Sequence, residues 1–109
     1  LAVPQAPVAA LARAWQEGLG SGAVDAFVGG APAQVPDRYA VADPLALVPS
    51  GVRTVLVHGV DDDVVPLSQS EAYAGASGCE LVRVPGGHFE HLDPSSRACE
   101  ALRAALSSL

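Results

Sequence analysis

Apolar residues recur with two different periods along this chain, and the change falls near residue 50. Val8, Leu11, Ala12 and Trp15 lie at i, i+3, i+4 and i+7, the spacing of one helical face. A helix is therefore predicted from about Val8 until Gly18, Gly20 and Gly22 end it. Before it, Pro4 and Pro7 interrupt an apolar stretch that reads as a strand end or a loop. Ala23 to Val28 predicts a second short helix, stopped by Gly29 and Gly30. From Ala31 to Ser50, Pro32, Pro36, Pro44 and Pro49 each remove a donor and fix φ. A long loop with one short turn of helix is predicted there.

The second half is more regular. Val52 to Val57 is rich in β-branched residues and nearly continuously apolar, as in a strand covered on both faces of a parallel sheet. Ser68 with Glu71 three residues later has the capping-box pattern, so a helix is predicted from Ser68 to Ala76, ended by Gly78. Glu80 to Val84 alternates as a second strand, broken by Pro85, Gly86 and Gly87. Asp93 as N-cap and Pro94 at the first helical position open a last helix, with Ala98, Leu102, Ala105 and Leu109 as its apolar stripe. The order β-α-β-α makes the strands parallel through a right-handed crossover. The predicted class is α/β, with two to three parallel strands and flanking helices. Residues 1–50 form a helical and Pro-rich segment, and residues 51–109 form the β-α-β-α unit. So few parallel strands leave long unpaired edges, so the expectation is an incomplete single domain able to self-associate through an exposed sheet edge.

Composition narrows the partners. Acidic residues outnumber basic ones 12 to 6, for a net charge of −6, and no basic stripe is present to neutralise phosphates, which argues against nucleic acid. No apolar run approaches the ~20 residues that cross a bilayer, so a soluble, cytoplasmic protein with no membrane partner is expected. There is no Met, even at position 1, and no signal-peptide pattern at the start. The chain is therefore expected to be the tail of something longer. Cys79 and Cys99 stand far apart in no metal-ligand spacing, and are expected as reduced, partly buried thiols.

In open α/β sheets the functional groups collect in loops at the C-terminal ends of strands. Here the first strand releases His58-Gly59-Val60-Asp61-Asp62-Asp63-Val64-Val65-Pro66, and the second releases Gly86-Gly87-His88-Phe89-Glu90-His91-Leu92-Asp93-Pro94. A carboxylate and an imidazole meeting between these loops would be two thirds of a Ser-His-Asp relay. H-G-x-x-D-x-x-V-P after a strand, followed by G-H-F-E, D-P and a closing helix, resembles the C-terminal third of an α/β-hydrolase. The similarity is to the bacterial esterase and lipase branch, which includes arylformamidase-like and prolyl-oligopeptidase-like enzymes. Gly29 to Pro32, Val35 to Tyr39 and Ala42 to Leu45 resemble the segment before the acid strand in that branch.

The resemblance implies Asp62 as the acid and His88 as the base, in the family's Ser, Asp, His order. It implies an ester or amide as the small-molecule substrate and no metal or organic cofactor. No G-x-S-x-G frame surrounds Ser21, Ser50, Ser68, Ser70 or Ser77, so the nucleophile and the oxyanion hole are expected in the N-terminal part of the same fold, upstream of this chain. Asp61 and Asp63 are expected as solvated loop charges, His91 as a surface or supporting group, and His58 as a packing or hydrogen-bonding residue. Trp15, Phe27 and Tyr39 are either core aromatics or the lining of an acyl or aryl pocket. Two other functions compete with the serine hydrolase. His88, His91 and Asp62 suit a zinc-dependent hydrolase by residue type, and a hydrolase-derived interaction module would use the bare sheet edge.

Overall fold

Val55, Leu56 and Val57 bring three apolar side chains into a row, and in a computed structural model that describes residues 1–108 they open strand β1 (Val55–Gly59). All five of its residues are buried, as a strand covered on both faces requires. β1 pairs in parallel with β2 (Glu80–Val84), from Val55 opposite Glu80 to Gly59 opposite Val84. Helix α4 (Leu67–Ser77) makes the crossover between them. On the other side of β1 the N-terminal residues also run parallel, with bridges from Ala2 to Thr54 and from Gln5 to Val57. Ala2, Pro4 and Ala6 direct their backbone groups at β1. Val55 N–H donates to Ala2 O at 3.0 Å, Val57 N–H to Pro4 O at 3.0 Å, and Ala6 N–H to Val57 O at 2.9 Å. The chain is thus a mixed α/β structure with a two-stranded parallel sheet, a third irregular parallel segment and flanking helices.

β1 begins three residues later than the apolar run predicts, because Val52 is half exposed and its N–H is taken by Ser50 Oγ at 3.2 Å. Helix α4 keeps its predicted span to within one residue, but the capping box does not form. Pro66 precedes the helix without a side-chain cap, and Glu71 instead pairs with Arg83 of β2 at 3.1 Å. The last helix, α5 (Arg97–Leu106), starts after Ser96, not Asp93, and Ser96 Oγ accepts from Cys99 N–H at 3.1 Å. Asp93 is diverted into a turn, accepting from Ser95 N–H at 2.9 Å and Ser95 Oγ–H at 2.8 Å. Ala98 and Ala105 of the apolar stripe are buried and Leu102 is half-buried, while Leu109 lies outside the described residues. Ala98 joins Val57 and Val84 in the core beneath the sheet.

The first fifty residues hold more helix than the prolines suggest. Alongside α1 (Leu11–Gln16) and α2 (Ala23–Val28), a helix α3 (Pro36–Ala42) and a 3₁₀ turn (Pro44–Leu47) replace the predicted loop. Pro36 and Pro44 each stand in a first turn, where no intrahelical N–H is needed. α1 begins at Leu11, not near Val8, because a buried Asp43 captures the first free donors. Its Oδ1 accepts from Leu11 N–H at 2.8 Å and its Oδ2 from Ala12 N–H at 3.1 Å. Leu11, Ala14, Val24, Val28 and Tyr39 close a second core. Of the three candidate pocket aromatics, only Tyr39 is in a core. Phe27 is exposed, and Trp15 lies near the surface with its indole N–H on Asp25 Oδ1 at 2.8 Å. Both cysteines are free and half-buried. Among the described residues, no helix is long and apolar enough to cross a membrane.

Candidate active site

The two loops that leave β1 and β2 are stitched together by backbone. Val60 N–H donates to Val84 O at 2.9 Å and Asp61 N–H to Gly86 O at 3.0 Å. Gly59 makes this approach possible, because a Cβ there would collide with the carbonyl of Gly86 and lie 2.8 Å from that of Gly87. Gly59→Ala is expected to force the loops apart and destabilise the fold by about 1–3 kcal/mol, the usual cost of overpacking. A urea midpoint unchanged in that variant would show that the loops tolerate separation.

The stitching brings Asp62 to His88. Asp62 Oδ1 accepts from Val64 N–H at 2.9 Å and Val65 N–H at 2.8 Å, a tight turn that pins the carboxylate. Its Oδ2 lies 2.8 Å from His88 Nδ1. The Asp62 side chain is wholly buried, and that of His88 is 21% exposed. Burial is the largest single influence on the Asp62 carboxyl and pushes its pKa up. The hydrogen bonds from His88, Val65 and Val64, with the charge His88 carries when protonated, together outweigh it, so the carboxyl titrates below its ordinary value of 3.8. An ionised carboxylate only accepts, so His88 Nδ1 carries the hydrogen. The neutral ring then presents Nε2 as a free base, and among the described residues nothing bonds it.

A lowered carboxyl pKa makes stability depend on pH. The folded form holds fewer protons on Asp62 than the unfolded form, so this contribution is complete above the ordinary value of 3.8 and disappears as pH falls through the lower folded value. The stability gap between the wild type and Asp62→Asn is therefore expected to narrow on acidification. Urea titrations of both proteins across that range read it directly, and a gap that widens in acid contradicts the ionised, bonded carboxylate.

Asp61 and Asp63 are exposed. His91 is half-buried and lines a crevice of about 10 Å³ with Gln5, Val57, Gly87 and His88. His58 is buried and hydrogen-bonded at both ring nitrogens, the packing and bonding role expected of it. Phe89, which the sequence reading passed over, meets the His88 ring edge to face, with centroids 4.9 Å apart. Its signal was adjacency to the histidine alone.

No family model, curated protein or solved structure matches the chain.

Chemical capacity has then to come from the residues themselves. An ionised carboxylate fixing the tautomer of a partly exposed imidazole is an arrangement chemically able to accept a proton at Nε2. A metal site is less well served. Among the described residues, no group of three or more His, Cys, Asp or Glu side chains is placed to hold an ion, and both Asp62 oxygens already accept hydrogen bonds.

Proposed function

We propose that this chain carries the acid and the base of an α/β-hydrolase-type serine hydrolase acting on small esters or amides. The observation that carries the reading is the 2.8 Å contact between Asp62 Oδ2 and His88 Nδ1, with Nε2 left free. In this reading a serine from an upstream segment loses its proton to His88 Nε2 as its oxygen attacks the substrate carbonyl. The imidazolium stays against Asp62, and the oxyanion is held by donors that the upstream segment also supplies. Collapse of the tetrahedral intermediate passes the proton from His88 to the leaving group and leaves an acyl-serine. Water then repeats the cycle, with His88 again as base, and releases the acid.

The N-terminal edge supports a completing segment. Val3 and Gln5 alternate with the residues that bond β1, so their backbone groups point outward, and among the described residues they have no backbone partner. An apolar groove of about 320 Å³, lined by Pro4, Val8, Pro44, Leu56 and Tyr73 among others, runs beside this edge. A further strand with a covering helix would satisfy both features. The same edge favours an interaction module as the second reading, since an unpaired strand accepts any extended chain, including a second copy.

Hydrolysis of p-nitrophenyl acetate separates the two. The 109-residue chain alone is expected to be no faster than its His88→Ala variant. Joined to the nucleophile-bearing segment that this reading requires, it is expected to turn over the ester, and His88→Ala to abolish that turnover. An inactive extended protein would leave the interaction module as the better reading.

A further inference from the structure

His58 is 1% exposed, yet its ring is not packed as a hydrocarbon. Nδ1 lies 2.7 Å from Ser70 Oγ on α4, and Nε2 lies 2.8 Å from the carbonyl oxygen of Val65. A carbonyl oxygen has no hydrogen to give, so Nε2 carries the hydrogen and donates it. The same Nε2 stands 3.3 Å from Asp62 Oδ2, the oxygen that receives His88. The opposite tautomer would aim a lone pair at a carbonyl and a carboxylate together, inside a site from which the Asp62 and His58 side chains exclude solvent. Val65 and Asp62 therefore select the Nε2–H form, and in the neutral ring the Ser70 hydroxyl completes it by donating to Nδ1. Val65 closes a circuit, for its N–H donates to Asp62 Oδ1 while its carbonyl accepts from His58.

We propose that His58, oriented by Ser70, is a positioning residue that holds the Asp62 carboxylate in the one placement that fixes the His88 tautomer. This inference rests on the acid–base reading of Asp62 and His88. The contacts Ser70 to His58, His58 to Asp62 and Asp62 to His88 form one polar path from α4 through β1 to the two loops. Only the His88 end reaches solvent. A histidine that merely filled space would be served by an apolar side chain of like volume. Here both ring nitrogens are matched, and the matching ends at the carboxylate oxygen that the base uses.

The test reads tautomers and not turnover. Long-range ¹H–¹⁵N spectra of the ¹⁵N-labelled chain, taken where the rings are neutral, are expected to show His58 protonated at Nε2 and His88 protonated at Nδ1. His58→Leu and Ser70→Ala are each expected to abolish the single-tautomer pattern of His88. His58→Gln, whose amide nitrogen sits the same number of bonds from Cα as Nε2, is expected to retain it. If His58→Leu fails to fold, Ser70→Ala and His58→Gln carry the comparison alone. An unchanged His88 pattern in Ser70→Ala and in every folded His58 variant would overturn the proposal. Because the spectra need no substrate, the hydrolase reading can fail while the positioning role stands. Unchanged spectra beside intact hydrolysis would remove only the positioning role.

Discussion

Under the proposed hydrolase reading, Asp62→Asn in the chain joined to a nucleophile-bearing segment is expected to lower kcat by up to ~10⁴-fold, as loss of the acid does in the serine-protease triad. The amide keeps the size of the carboxylate but offers His88 Nδ1 a donor where it now finds an acceptor. Either the amide turns and breaks the bonds from Val64 and Val65, or the ring moves its hydrogen to Nε2 and ceases to be a base. Asp61→Asn and Asp63→Asn change exposed charges outside this geometry and are expected to cost less than about tenfold, the scale of a surface charge effect. Steady-state kinetics of the three variants decide the matter. Near-normal kcat in Asp62→Asn, with activity lost in either neighbour, would place the acid elsewhere in the loop.

Leu56→Ala is expected to destabilise the fold by about 2–5 kcal/mol, the range for emptying a buried leucine site. Leu56 is 1% exposed at the second position of β1, between the irregular N-terminal segment and β2. A domain stable by about 5–15 kcal/mol loses a large part of that margin in one such change. Its side chain also borders the apolar groove beside the N-terminal edge, so water reaches part of the vacated space and favours the lower half of the range. Urea unfolding reads the effect as a shifted midpoint at constant slope. A loss below about 1 kcal/mol would mean that Leu56 lies outside any consolidated core.

Local chemistry made the parallel β-α-β arrangement legible in the sequence. β2 and α2 are bounded by glycines and a proline adjacent to them, and both have their predicted ends. That a carboxylate and an imidazole meet was legible because both loops follow strands that lie side by side. The choice of Asp62 among three aspartates came from the resemblance alone, and in the fold the Val64 and Val65 N–H groups hold that middle carboxylate. Features fixed at a distance were not legible. Asp43 sets the start of α1 from more than thirty residues away, and no local pattern near Val8 records it. Asp93 and Ser96 are both able to cap a helix. Capture of the Asp93 carboxylate by Ser95 leaves α5 to Ser96. The type of His58 could be read as a hydrogen-bonding group, but its partners come from a loop carbonyl and a helix that only the folded chain brings together.

Labelling with a fluorophosphonate tests the acid–base reading most directly, because the reagent reports a serine activated by a neighbouring base and needs no knowledge of the substrate. The extended protein is treated, digested and read by mass spectrometry beside its His88→Ala variant. The expected result is one adduct on a serine of the upstream segment, framed as G-x-S-x-G, forming far more slowly in the variant. An adduct that forms at the same rate without His88, or none in the wild type, would contradict the assignment of His88 and Asp62 as base and acid.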